Sequence, residues 1–200
     1  MVSNPTKKSS KSSLNQKKPL FAIALLHYPV YNKNHDVTAS AITLLDIHDS
    51  SRVARTYDLP AVFIVTPVES QQRIAKRTLG YWTKGYGKIY NPDRHEALSL
   101  VHVTKDLKEA QNLLKEHLDL SYTPPIIATS ARKVDGANFI TFNKLKKTDK
   151  VFILAFGTAW GLTDEFIQTC DYLLEPIKFG DYNHLSVRAA IAIIVDRLRS

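Results

Sequence analysis

The order of patterns along this chain predicts an α/β fold, a mainly parallel sheet with helices on both faces. Three observations predict it. Short continuous apolar runs, typical of strands buried on both sides, recur along the sequence. Segments with helical spacing of apolar residues separate them, so strands and helices alternate. The length, 200 residues, suits one domain with a substantial core and leaves a second domain cramped.

Residues 1–18, MVSNPTKKSSKSSLNQKK, are rich in Ser, Lys and Asn and nearly devoid of apolar side chains. Such a stretch does not bury enough surface to offset the entropy of ordering, so a disordered basic tail or linker is expected ahead of a domain over residues 19–200. FAIALLHYP then reads as a buried strand closed by Pro29, followed by the polar loop YNKNHD. Ala39 to Tyr57 reads as a helix, with apolar positions at Ile42, Leu45, Val53 and Ala54. After the stop at Pro60, AVFIVT is the next strand, SQQRIAKRTLGYW is a helix beginning near Ser70, and a glycine-containing loop follows. LSLVHVT reads as a strand, LKEAQNLLKEHL as an exposed amphipathic helix, and PPIIATSA as a strand emerging after two prolines. VFILAF is a strand, DEFIQTC a short helix and YLLEP the last strand. In the closing helix Ala189, Ile191, Ala192, Ile194, Val195 and Leu198 leave few polar gaps, so most of its circumference is expected to be buried.

Composition excludes several classes. No apolar run reaches the length of a bilayer span and no signal-peptide core follows the start, so a soluble cytoplasmic protein is expected. The single cysteine, Cys170, has no partner for a disulfide or a thiolate metal site and reads as a buried small hydrophobe. His27, His35, His48 and His184 show no paired-ligand spacing, so no metal is expected. Gly80 and Gly85 have the separation of a phosphate-binding loop, but Tyr86 stands where Lys belongs, which excludes an NTPase. Of the formal charge of +8, five units come from Lys7, Lys8, Lys11, Lys17 and Lys18, leaving +3 for the rest. Nucleic-acid binding therefore rests on where charges fall and not on their sum.

Two late segments, FGTAWGL and LEPI followed by NHLSVRAAIAII, resemble in this order the second and third motifs of the SPOUT (α/β-knot) RNA methyltransferases. The likeness is closest to a bacterial branch found free-standing or fused behind a tRNA guanine-N1 methyltransferase. It implies a C-terminal deep trefoil knot, a homodimer, and a pocket for S-adenosyl-L-methionine. Ordinary connection rules predict an unknotted chain, so the knot is an expectation of the family alone. The pocket residues implied are Thr129, Ser130, Phe156, Gly157, Thr158, Gly161, Leu162, Leu174, Glu175, Pro176, Ile177, Asn183, His184, Leu185, Ser186 and Ala189. In a parallel sheet the turns after PIIATS, VFILAF and YLLEP lie beyond the carboxyl ends of the strands, where ligands bind. Leu162 and Leu185 are expected to pack the adenine. The usual acidic residue before the second Gly is missing; Thr158, Ala159 and Trp160 fill a shorter gap.

DIHDSSRVARTYDL resembles the first motif of the same superfamily, in which a polar residue precedes an Arg-Thr pair by six positions. Asp49 takes the polar place and Arg55-Thr56 the pair. On a helix Asp49, Arg52 and Arg55 fall near one face, which is also how a surface ladder of ion pairs is built. The resemblance makes Arg55 the leading catalytic or RNA-orienting residue, with Arg52 beside it and Asp49, Asp46 and His184 as candidate bases. Tyr81 to Arg94 interleaves Tyr81, Trp82, Tyr86 and Tyr90 with Lys84, Lys88 and Arg94. That composition serves unpaired RNA bases and phosphates, or equally a subunit interface. Arg188 is expected to bind substrate near the pocket or to pair with Glu175 or Asp181. Together these imply an S-adenosylmethionine-dependent methyltransferase acting on tRNA or rRNA; the alternatives are a non-catalytic RNA- or adenosylmethionine-binding module and a small-molecule enzyme on an unrelated parallel sheet.

Overall fold

The computed structural model describes residues 18–177 and 180–200. The elements in chain order are β1 (Phe21–Leu26), β2 (Val30–Tyr31), β3 (Val37–Thr38), α1 (Leu44–Thr56), β4 (Val62–Val65), α2 (Glu69–Thr83), α3 (Gly87–Tyr90), α4 (Pro92–Leu98) and β5 (Val101–Thr104). There follow α5 (Leu107–His117), β6 (Ile126–Ala128), β7 (Phe139–Ile140), α6 (Phe142–Lys146), β8 (Phe152–Gly157), α7 (Asp164–Thr169), β9 (Tyr172–Leu174) and α8 (Val187–Arg199). The expected tail, 1–18, lies outside the described residues but for Lys18.

Seven strands form one sheet in the order β5-β4-β1-β8-β6-β9-β7, and every pairing in it is parallel. The continuous apolar runs explain which strands are central: β1 is buried along its whole length, with Ile23 opposite Val62 on one side and Leu154 on the other. Its alternate residues feed two cores. Phe21, Ile23 and Leu25 pack with Ile47 and Ala54 of α1 and Ile191, Ile194, Val195 and Leu198 of α8. Ala22, Ala24 and Leu26 pack with Leu107, Ala110 and Leu114 of α5 and Ile167 of α7. Helices cover both faces, as the runs require.

Four local expectations are corrected. The helix expected from Ala39 begins only at Leu44, capped by Thr43, because residues 30–38 form the small β2–β3 hairpin in place of a plain loop. The loop expected from Tyr81 to Arg94 is largely helical: α2 runs on to Thr83, and α3 and α4 follow. Asn91 caps α4 by accepting from Arg94 N and Pro92 occupies its first turn, an arrangement that costs no backbone hydrogen bond. Residues 139–146, given no element from the sequence, form the edge strand β7 and α6. The last helix buries one face; Ala189, Ala190, Ala192 and Ile193 stay half-exposed. Cys170 is half-buried, and burial pushes its thiol up to about 12, so it stays protonated and unreactive.

Candidate functional site

Three turns meet at one end of the sheet. Because β8, β6 and β9 are adjacent and parallel, the segments after Gly157, Ala128 and Leu174 emerge side by side, about 10 Å across three strands. Thr129, Ser130, Phe156, Gly157, Gly161, Leu174, Glu175, Pro176 and Ile177 are thereby brought together. The start of α8 joins them, since Asn183 Nδ2 donates to the carbonyl of Ala131 at 2.8 Å. Ser186, and not His184, caps α8, accepting from Ala189 N, while His184 and Leu185 are exposed just ahead of it.

The turn after β8 is shaped by its two glycines. A Cβ on Gly157 would lie 2.5 Å from Leu162 N, so only glycine fits under the returning backbone. Gly161 sits at φ +96, a conformation that L side chains resist, with nothing within 4 Å of a Cβ built on it. Tyr31 clamps the turn: its N–H donates to Gly161 O at 2.9 Å and its carbonyl accepts from Trp160 N at 3.1 Å. The Tyr31 hydroxyl also accepts from Asp164 N, and Arg132 pairs with the Asp164 carboxylate, tying the segment after β6 to the same turn. Leu162 is consumed by the core under the turn, and the Thr158 hydroxyl donates to Leu26 O, so these two contribute backbone only. Glu175 likewise spends its carboxylate on Phe142 N at 2.7 Å.

The expected partners of Arg188 are corrected. Its guanidinium reaches Asp49 at 2.9 Å and Asp46 at 3.5 Å, joining the first turn of α8 to α1. Asp49 is thus delivered beside the strand-end turns. Arg55 is not. α1 runs back along the sheet, and residues 57–59 lead directly to the amino end of β4, where Arg199 bonds Tyr57 O and Pro19 O. There Arg55 pairs with Glu96 at 2.6 Å and Asp58 at 3.0 Å. Arg52 lies between, and with Arg94 lines a cleft of ≈ 350 Å³ between α1 and α4.

A residue not assigned a site role from the sequence stands at the end of β1. His27 is fully buried; Nδ1 bonds Ser40 Oγ at 3.0 Å, Ser40 bonds Thr158, and Nε2 has no partner. The chain His27–Ser40–Thr158 fixes the turn after β8 from below. A lone His at the end of an apolar run was its only sequence signal. Burial holds His27 below the usual imidazole range, against the pull of Asp46. Its folded-state value is depressed, so its share of stability is present above the unfolded value of about 6.5 and is lost as pH falls below it. The urea midpoint is therefore expected to drop between about pH 7.5 and 5.5, less steeply in a His27→Gln protein; equal slopes would remove His27 as a contributor. His48 and His102, also lowered by burial, act in the same sense.

A family model described as SAM-dependent RNA methyltransferase matches residues 20–200. This chain belongs to that family. A tRNA (guanine-N(1)-)-methyltransferase of Oleidesulfovibrio alaskensis is 43% identical over 176 residues, covering 88% of this chain and 41% of its own length. An uncharacterized protein of Aquifex aeolicus is 37% identical over 182 residues, covering 89% of this chain and 87% of its own. The chain thus spans about two fifths of the length of the named relative. The SpoU methyltransferase AviRb of Streptomyces viridochromogenes superposes with a TM-score of 0.55 over 92% of this chain and 60% of that one, at 11% identity, a likeness of fold.

The strand-end turns fit the family's cofactor. Ser130 and Ile177, half-buried, have backbone N–H groups without a partner among the described residues, as a nucleoside site requires of its donors. Among the described residues no group of three His, Cys, Asp or Glu is placed to hold a metal ion, and no helix is long and apolar enough to cross a membrane.

Proposed function

We propose that this protein transfers the methyl group of S-adenosylmethionine to a nucleotide of tRNA or rRNA, at the carboxyl ends of β6, β8 and β9. The observation that carries the reading is the glycine turn, built so that only Gly157 and Gly161 serve, set between two further strand ends in a chain whose family match runs from 20 to 200. The bound sulfonium supplies an already activated methyl group. The chain has to hold that methyl in line with an RNA nucleophile and take up the proton displaced.

The backbone of residues 156–161, 129–130 and 174–177 holds the nucleoside, with Leu185 and the first turn of α8 closing over it. Asp49 accepts the proton. Of the two carboxylates on Arg188 it is the accessible one, 40% exposed against 13% for Asp46. Arg188 orients it, and His184 lies on the exposed approach. Asn183 bonded to Ala131 supports a chain that threads the segment after β6, the trefoil knot of the family. The half-exposed Ala190, Ala192 and Ile193 of α8, with exposed Leu44 and Leu45 on α1, support a homodimer, in which Arg55 would serve the partner's site. A cytoplasmic location follows from an RNA substrate. Association with, or fusion to, a tRNA guanine-N1 methyltransferase fits the longer relatives.

Calorimetry with S-adenosylmethionine, followed by incorporation of labelled methyl into total RNA, tests the proposal. Binding with incorporation supports it. Binding without incorporation makes the protein a cofactor-sensing module, and no binding ends the methyltransferase reading.

A further inference from the structure

Residues 69–98 carry Arg73, Lys76, Arg77, Lys84, Lys88 and Arg94 against Glu69, Asp93 and Glu96, a net +3. Residues 19–200 as a whole carry the same +3, so the remainder of the domain is neutral on balance and its excess charge sits on the lobe formed by α2, α3 and α4. This lobe meets α1 along the cleft lined by Arg52, Arg55, Thr56, Asn91, Asp93 and Arg94. The cations there differ in availability. Arg55 is taken by Glu96 and Asp58, whereas Arg52 and Arg94 form no ion pair among the described residues.

Arg94 is also fixed in place. Its backbone N–H is held by Asn91 Oδ1 at 2.9 Å, and its guanidinium lies 4.6 Å from the centre of the Trp82 ring. A planar fork stacked on an aromatic face keeps its outward N–H donors ready for phosphate oxygens. Tyr86 and Tyr90, exposed and with ring centres 6.3 Å apart, stand on the same lobe and offer faces for unpaired bases. Arg52 is one helical turn from Asp49, so the two side chains neighbour each other on α1.

We infer that the cleft between α1 and α4 binds the backbone of the substrate RNA: Arg52 and Arg94 take one phosphodiester, and Tyr86 and Tyr90 stack bases flanking it. This rests on the RNA substrate proposed above and adds where that RNA lies, leading from the α2–α4 lobe past Arg52 to Asp49. The charge of the lobe favours a polyanion over a second protein, because aromatics at an interface between like copies would bring +3 against +3.

The test uses the full chain and a fluorescein-labelled single-stranded RNA of mixed sequence, with anisotropy measured across a salt series. The Arg52→Gln, Arg94→Gln protein is expected to lose roughly tenfold in affinity at low salt, and the slope of log K against log salt is expected to fall by about 1.4, or 0.7 for each lost phosphate contact. S-adenosylmethionine binding and thermal stability report that the variant is folded. An unchanged RNA affinity and slope in the folded variant would overturn the cleft assignment while leaving the methyltransferase reading intact. Wild-type protein that binds the cofactor but no RNA would overturn both. A variant that keeps its RNA affinity but dissociates into monomers on sedimentation would assign the lobe to a subunit interface.

Discussion

An Asp49→Asn protein is expected to transfer methyl groups about 10²–10⁴-fold more slowly than the wild type, with unchanged affinity for S-adenosylmethionine. The size follows from the role: loss of a general base removes the acceptor for the displaced proton, and an amide is isosteric but not basic. Asn still offers an oxygen to Arg188, so the bridge between α1 and α8 survives and the fold is left alone. Asp46→Asn is the control. Asp46 accepts from the Thr43 hydroxyl at 2.6 Å and lies in the first turn of α1, where a negative charge is favoured, so its loss costs stability of about 0.3–1 kcal/mol and little transfer. Single-turnover rates on a mapped RNA substrate check both. Equal rates for Asp49→Asn and wild type would take the base away from Asp49, and a collapse seen only in Asp46→Asn would hand it to the neighbour.

A Gly157→Ala protein is expected to lose roughly 10- to 100-fold in cofactor affinity. The added methyl would sit 2.5 Å from Leu162 N and 2.9 Å from Gly161 C, and both atoms are backbone, so no side chain can swing away to make room. Overpacking of this kind costs about 1–3 kcal/mol, and the turn relieves it by moving the peptides that hold the nucleoside. Gly161→Ala is expected to weaken binding for a different reason: space is open there, but φ of +96 is strained for alanine. Calorimetric titration separates the pair from wild type. Tight binding by Gly157→Ala would mean that the cofactor does not rest on this turn.

Much of the framework was legible because it is local. β1, β4 and β8 are unbroken apolar runs, and α5 and α8 show their buried stripes in the spacing of Leu107, Ala110 and Leu114 and of Ile191, Ile194, Val195 and Leu198. The glycines of the turn after β8 were legible for the same reason. What escaped was either short or distant. α3 and α4 hide in a stretch dense in aromatics and glycine, although Asn91-Pro92 was a helix start in plain view. The bridge from Arg188 to Asp49 joins residues 139 positions apart, and no local pattern distinguishes it from a pairing with Glu175 or Asp181. The Tyr31 clamp depends on a two-residue strand meeting a turn 130 residues later, and the role of His27 on a hydroxyl relay that exists only once β1 and β8 are side by side. Arg55 shows the opposite case: its spacing from Asp49 was plain, but the direction of α1 relative to the sheet, which carries it to the far end, is a tertiary fact.

The one-sided distribution of charge over residues 19–200 gives the molecule a permanent electric dipole. A polyanion then turns the protein toward itself during approach, before any atom touches, and encounters in the wrong orientation become rare. Dilute electrolyte would accelerate capture more than it slows escape, so this enzyme would find its target by being pulled into alignment rather than by repeated random collision.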